Sequence, residues 1–256
     1  MLRYLFGIAG WLALQMAMPS SGLAADLAEI QSRGYLIIAV QEDRPPLGFR
    51  DSSGELAGFE VDLAHRLAEA LLGDANAVQL RPVSNVDRVN AVLADEVDLA
   101  IAAVTLTEPR RRLVSFSDPY YLDGTGFIAQ SQDVQQLSDL RLRTIALLQG
   151  SSAIAHVRYR LPAARLVGVE SYQAALALIE QGEVDAFAGD ISVLVGWAQQ
   201  DSTYRLLPEV ISVEPLAVVL PKGVQYDELR TGVNAAIRGW AEQGWLNEWA
   251  ADWGLR

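Results

Sequence analysis

The stretch Ala102-Ala103-Val104-Thr105-Leu106-Thr107-Glu108-Pro109-Arg110-Arg111-Arg112-Leu113-Val114-Ser115-Phe116-Ser117-Asp118-Pro119-Tyr120-Tyr121 decides how this 256-residue chain is read. The apolar run from Leu99 to Val104 that leads into it predicts a buried strand. That strand ends at Thr105, and Thr107-Glu108-Pro109 carries the chemistry of a helix start, with Thr107 at the N-cap and proline just inside. Thr105 and Arg110 therefore leave the strand end together, a hydroxyl and a guanidinium near free backbone N–H groups. The combination suits a small carboxylate, which a guanidinium binds bidentately and a helix N-terminus favours by its partial charge. Arg111 and Arg112 read as a solvated helix face.

Working outward, the composition narrows the function classes. About half the residues are apolar (51%), enough for one large domain or two lobes with their own cores. There is no cysteine, which excludes disulfides, thiolate metal sites and a cysteine nucleophile. A formal charge of −12 argues against nucleic acid as a partner, since that partner demands a basic surface. The two histidines, His65 and His156, are far apart, and neither a phosphate loop nor metal-ligand spacing occurs, so no cofactor is expected. Residues 1–24 have the pattern of an export signal: Arg3, an apolar run from Tyr4 to Met18, and Gly22-Leu23-Ala24 as a small-x-small cleavage site. Cleavage before Ala25, or one residue later, removes Arg3 and takes the charge from −12 to −13.

From Asp26 to Arg33 a short helix is expected, broken by Gly34, and Leu36 to Val40 forms the first strand. The loop after it, Gln41 to Leu47 with Arg44 and two prolines, is a candidate pocket wall, because ligands lie outside the carboxyl ends of strands in open α/β sheets. A helix enters at Gly58-Phe59-Glu60 and runs through Leu71, with Leu63, Leu67, Ala70 and Leu71 on one face. The Glu60 and Asp62 carboxylates read as helix-start residues. A strand over Val78–Pro82 and a helix from Asn85 to about Leu93 precede the opening stretch. A weak repeat follows: Glu96-Val97-Asp98-Leu99 returns as Glu183-Val184-Asp185-Ala186, each copy after an apolar helix. Each copy ends a few residues before a candidate ligand group, Thr105 in one and Asp190 in the other. Two similar βα lobes facing each other is the simplest reading.

In the second half, Arg143 to Leu148 predicts a strand, and Gln149-Gly150-Ser151-Ser152 a turn into a helix. Such a turn seats an anion or caps its own helix; the residues alone leave both open. Tyr172 to Glu180 predicts an amphipathic helix, Val184 to Ala188 a strand, and Asp190 either a helix cap or a ligand group. Ile211 to Leu220 is expected to cross back, and Trp240, Trp245, Trp249 and Trp253 to pack a terminal helical region.

Thr-Leu-Thr-Glu-Pro-Arg followed by Val-Ser-Phe-Ser-Asp-Pro-Tyr-Tyr resembles the signature of bacterial extracellular amino-acid-binding proteins, the family 3 receptors that feed ABC importers. Gly54-Glu55-Leu56-Ala57-Gly58-Phe59-Glu60-Val61-Asp62-Leu63-Ala64 is similar to a second motif of that family. The resemblance implies an α/β, two-lobed Venus-flytrap fold: lobe 1 at 25–127 and 216–256, lobe 2 at 128–215, joined by two hinge strands. It implies that Thr105 and Arg110 hold an α-carboxylate, with Ser152 beside it, and that Asp190 meets the α-ammonium; Ala103 and Ser151 adjoin them. Arg44 stands where many members place an aromatic residue, and Asn85 where they place an apolar one, one turn before Arg88. A pocket with Asn85 and Arg44 or Arg88 would favour glutamate, glutamine or aspartate and repel lysine or arginine. The implied partners are a free amino acid and an ABC permease in the inner membrane, the implied state a periplasmic monomer. Two other classes share these features: a dehydratase-like enzyme with Asp190 or Glu60 as acid or base, and a sensor whose closure a separate receptor reads.

Overall fold

The computed structural model describes residues 24–255, so the expected export signal lies, but for Ala24, outside the described residues. The first part of the chain contains α1 (Leu27–Arg33), β1 (Leu36–Val40), β2 (Asp43–Arg44), β3 (Gly48–Arg50), β4 (Leu56–Ala57) and α2 (Phe59–Leu72). Then come β5 (Val78–Pro82), α3 (Asn90–Leu93), β6 (Leu99–Ala100), α4 (Glu108–Arg111) and β7 (Ser115–Asp123). The middle contains β8 (Thr125–Ala129), β9 (Thr144–Leu148), α5 (Ala153–Arg160), β10 (Arg165–Val169), α6 (Tyr172–Glu180), β11 (Ala186–Asp190), α7 (Ile191–Gln200) and β12 (Arg205–Leu206). The chain closes with β13 (Glu214–Leu220), α8 (Asp227–Glu242) and α9 (Trp245–Asp252).

Two five-stranded sheets result, ordered β5-β1-β6-β13-β7 and β10-β9-β11-β8-β12. Each has three parallel strands followed by an antiparallel strand that has crossed from the other lobe, β13 in the first sheet and β8 in the second. The fold is thus α/β and two-lobed. β2, β3 and β4 form a small antiparallel sheet beside the first lobe.

The exchange between sheets falls at Gly124. A Cβ there would stand 2.7 Å from the Ser212 carbonyl oxygen, so only glycine lets the two crossing segments touch. The Ile211 N–H donates to the Thr125 carbonyl at 2.9 Å and binds the crossings together. By strand pairing, Thr125 to Phe127 belong to the second sheet and Glu214-Pro215 to the first. The sheets therefore change two or three residues ahead of the divisions at 127/128 and 215/216.

The repeat has a physical basis. The Asp98 N–H donates to the Ile37 carbonyl, and its carboxylate accepts from the Ile37 N–H (2.7 Å) and from Arg33. The Asp185 N–H donates to the Thr144 carbonyl, and its carboxylate accepts from the Thr144 N–H (2.8 Å) and Arg143 Nη1 (3.0 Å). In both lobes one aspartate before the third strand pins the start of the first strand, with an arginine as counter-ion.

Local elements follow ordinary chemistry. Asp26 and Glu29 form a capping box on α1, and Gly34 ends it in the left-handed region (φ 83°). On α2 the buried face is Phe59, Leu63, Ala64, Leu67 and Ala68; Ala70 is exposed and Leu71 only partly covered, so the apolar stripe is rotated from the expected one. The strand expected over 99–104 pairs only at Leu99–Ala100, because Ala103 turns to φ 49°. The helix expected from Asn85 is confined to Asn90–Leu93. In the second lobe Tyr172, Phe187 and Trp197 pack ring on ring with centroids 5.5–5.6 Å apart. Trp240 and Trp249 pack likewise in the terminal helices, and Arg66 lies 3.7 Å over the Trp249 ring.

Candidate functional site

The site lies where the ends of the two sheets face each other. On the first-lobe side, β6 runs into Ala102–Thr105, and α4 then presents Arg110. Arg110 Nη1 donates to the Thr105 carbonyl and Nη2 to the Gly150 carbonyl, both at 2.9 Å, so one guanidinium spans the cleft. Thr107 holds the N-cap position of α4 without a side-chain capping bond. Burial works against the Arg110 charge, and the nearby Glu214 carboxylate supports it.

Thr105 is buried, and its Oγ1 lies 3.0 Å from Ser152 Oγ across the cleft. Both hydroxyls donate to Oε2 of Glu214, Thr105 at 2.7 Å. Thr125 Oγ1 (2.6 Å) and Ser212 Oγ (2.9 Å) donate to Glu214 Oε1. Burial alone would raise the Glu214 carboxyl; donation from Ser152, Thr125, Thr105 and Ser212 brings it below the usual range. Ser151 instead accepts from the N–H of Ala153, the first residue of α5, at 3.1 Å, while Ser152 holds the N-cap position without a side-chain capping bond.

A second cross-lobe cluster centres on Arg44. Its Nη1 is 2.9 Å from Asp190 Oδ2, its Nη2 donates to Asn85 Oδ1 at 2.8 Å, and its guanidinium lies 5.2 Å over the Tyr172 ring. Burial opposes that charge, but Tyr172 and Asp190 outweigh it and hold the guanidinium above its ordinary range. Asn85 Nδ2 donates across the cleft to the Gln149 carbonyl. Asp190 also accepts from Tyr172 Oη at 2.7 Å and makes no side-chain cap to α7, although it occupies the N-cap position.

Beneath these, Arg88 Nη1 donates to the carbonyls of Ala102 (2.9 Å) and Ala103 (2.6 Å), not to a carboxylate. Glu60 Oε1 accepts from the Ala103 N–H at 2.7 Å and Tyr120 Oη at 2.5 Å. These bonds hold Ala103 in its left-handed conformation. Burial raises the Glu60 carboxyl, with Tyr120 and Arg44 opposing. Arg44 Nε, Arg88 Nε and Glu60 Oε2 are buried without a hydrogen-bond partner in the protein.

The folded chain thus brings Thr105, Arg110, Ser152, Asn85, Arg44 and Asp190 to one cleft, with Arg88 and Ala103 buried beside them and Ser151 bonded to the first N–H of α5. Glu214 and Tyr172 were missed. Glu214 is a lone acidic residue opening a buried apolar run, which is a usable signal; Tyr172 reads as an ordinary helix-start aromatic.

The same architecture recurs among known proteins. The solute receptor for L-cysteine of Neisseria gonorrhoeae superposes with a TM-score of 0.83 at 27% identity, over 89% of this chain and 93% of that one. An ancestral amino acid-binding protein described as a precursor of cyclohexadienyl dehydratase gives 0.80 at 25% identity, over 89% and 98%. In sequence, the glutamine-binding protein of Geobacillus stearothermophilus is 32% identical over 195 residues, 75% of this chain and 74% of that protein. The model of the bacterial extracellular solute-binding proteins, family 3, matches residues 36–256, a span that includes both sheets and every cleft residue above. The chain belongs to that family.

Proposed function

We propose that the protein is an extracytoplasmic receptor that takes up a free amino acid in the cleft and presents it to an ABC permease in the inner membrane, acting as a monomer in the periplasm. The observation that carries this is Arg110, one cation bonded to a carbonyl on each side of the cleft. Its remaining N–H groups suit the α-carboxylate, and Asp190 is the acidic group for the α-ammonium. Thr105, Ser152, Ala103 and Ser151 line the main-chain end of the ligand; Arg44, Asn85 and Arg88 line the side-chain end. A ligand touching both lobes binds the closed arrangement better and shifts the population towards it. Charge-assisted bonds are worth about 1.5–3 kcal/mol each, so a few of them supply the roughly −8 kcal/mol of micromolar binding after ordering costs.

Glutamate, glutamine or aspartate is the proposed ligand class, because buried Arg44 and Asn85 offer a cation and an amide where a ligand side chain would end. The test is a thermal-shift screen of the mature protein against the common amino acids. A selective rise with one of those three, reduced at least tenfold in apparent affinity by Arg110→Ala, is the expected result. No shift with any amino acid sinks the proposal. Glu60, a buried carboxyl raised by its surroundings, is the feature that favours a second, dehydratase-like reading. Turnover of a bound compound that is lost in Asp190→Asn would establish it.

A further inference from the structure

Hydroxyl groups carry one proton each, and at this cleft the protons are already committed. Thr105 and Ser152 both donate to Glu214 Oε2. Thr125 and Ser212 both donate to Oε1, while Ser212 Oγ in turn accepts the Thr125 N–H at 2.9 Å. Ser212 Oγ also stands 3.0 Å from Thr125 Oγ1, and Thr105 Oγ1 3.0 Å from Ser152 Oγ. Each hydroxyl proton thus has an acceptor inside the group, and the ionised carboxylate is the strongest of them, which leaves lone pairs for anything else. Toward the cleft, Thr105 and Ser152 can accept a hydrogen bond but have none to give.

We propose that Glu214 is a positioning residue for specificity: by drawing the Thr105 and Ser152 protons to itself, it makes that seat an acceptor, fit for a ligand N–H and unfit for a carboxylate oxygen. This rests on the receptor reading above and deepens it. The ligand carboxylate is left to the Arg110 fork rather than shared with the Thr105 and Ser152 hydroxyls as the family resemblance implies, and the ammonium assigned to Asp190 is received in addition by two oriented oxygens with a buried negative charge behind them. A deaminated acid of the same shape would set its bare carbon against those lone pairs and leave them unpaired, which costs affinity. Glu214 stands on β13 of the first lobe while Ser152 opens α5 of the second, so the seat acquires its full polarity only when the lobes meet.

The experiment compares wild type with Glu214→Gln, titrating L-glutamate against glutarate and L-glutamine against glutaramate by calorimetry. Glutamine at 214 must donate from its own amide, which frees a hydroxyl proton for the cleft. The wild type should prefer each amino acid over its deaminated partner, and the ratio should fall about tenfold or more in Glu214→Gln. A ratio that does not move in a folded Glu214→Gln protein overturns the proposal, since a purely structural role would weaken both partners alike. Should Glu214→Gln not fold, Thr105→Val and Ser152→Ala remove the acceptors singly and should lower the same ratio. If no probe binds wild type, the receptor reading fails, and carbon-13 titration of the Glu214 carboxyl judges the proposal alone. A midpoint below the ordinary glutamate range, rising in Thr105→Val or Ser152→Ala, supports the committed protons; a midpoint at or above that range overturns them.

Discussion

Arg44 Nη1 and Asp190 Oδ2 stand 2.9 Å apart, one from the short strand β2 that follows the first strand of lobe 1 and the other from the end of the third parallel strand of lobe 2. Arg44 is 2% exposed and Asp190 15%, so the pair is nearly dry. Removing one partner of a buried pair commonly costs about 3–5 kcal/mol. Asp190 keeps its Tyr172 bond and some water, so Arg44→Ala should cost about 3 kcal/mol, near the low end. Denaturant midpoints measure that loss. The ligand ranking should change too: glutamate and glutamine should lose their lead over lysine and arginine in Arg44→Ala or Arg88→Ala. An unchanged ranking in both variants removes the acidic-or-amide assignment.

Gly58 allows a different test. It has φ 125°, and a Cβ there would sit 2.4 Å from the Leu47 carbonyl oxygen, a backbone atom that cannot swing aside. Gly34 also has positive φ (83°) but open space around it. Gly58→Ala should therefore destabilise by about 3 kcal/mol or more, and Gly34→Ala by about 1 kcal/mol. Equal losses in thermal melts would show that conformation alone, without the contact, sets the cost.

Asp123 makes stability depend on pH. It closes β7 at the hinge, where its carboxylate accepts from the Gly124 N–H (2.8 Å) and Ser192 Oγ (2.6 Å). Burial, and then the neighbouring Asp190, push it up to about 7 from an ordinary 3.8. A carboxyl raised on folding stabilises fully below its unfolded value, and that contribution is lost as pH rises through the folded one. Its contribution should fade between pH 4 and about pH 7. Asp123→Asn should remove that slope and raise the melting temperature at pH 8 relative to wild type. Glu214 acts oppositely, since its lowered carboxyl stabilises above the usual glutamate range and loses that contribution in acid. A wild-type melting temperature that rises steadily from pH 5 to 8 would contradict the Asp123 assignment.

The two equivalent aspartates should not be equally costly to change. Asp98 is fully covered and accepts from the Ile37 and Ala25 N–H groups as well as Arg33; Asp185 is 27% exposed. Asp98→Asn should cost about 2–3 kcal/mol and Asp185→Asn about 1 kcal/mol, read from urea midpoints. The reverse order would mean that exposure does not govern the pair.

The strands and helices with strong apolar patterns were legible in the sequence almost to the residue. Leu36–Val40, Val78–Pro82 and Tyr172–Glu180 appear where their periodicity places them. Less legible were segments shaped by partners far away in the chain. Ala103 leaves the strand geometry because Glu60 and Arg88 grip its N–H and carbonyl, and nothing in its neighbourhood announces a positive φ. At the cleft, residue types and placement could be read, but not which bonds form. Arg44 could equally have pointed to solvent, and the Thr105 and Ser152 hydroxyls could have turned their protons to the cleft. What decides both is Asp190 and Glu214, each brought in by a different crossing of the chain.

That crossing has a consequence for how the molecule is made. All five strands of the second sheet come from residues 125–206, whereas the first sheet holds β13 between β6 and β7 and cannot be completed until residues 214–220 arrive. Closing so long a loop is slow relative to pairing nearby strands. In pulse-labelled refolding, the amides of β9 and β11 are thus expected to gain protection before those of β1 and β6; simultaneous protection would contradict this. A chain emerging from the ribosome can shape its inserted lobe while the flanking one still waits for its missing strand.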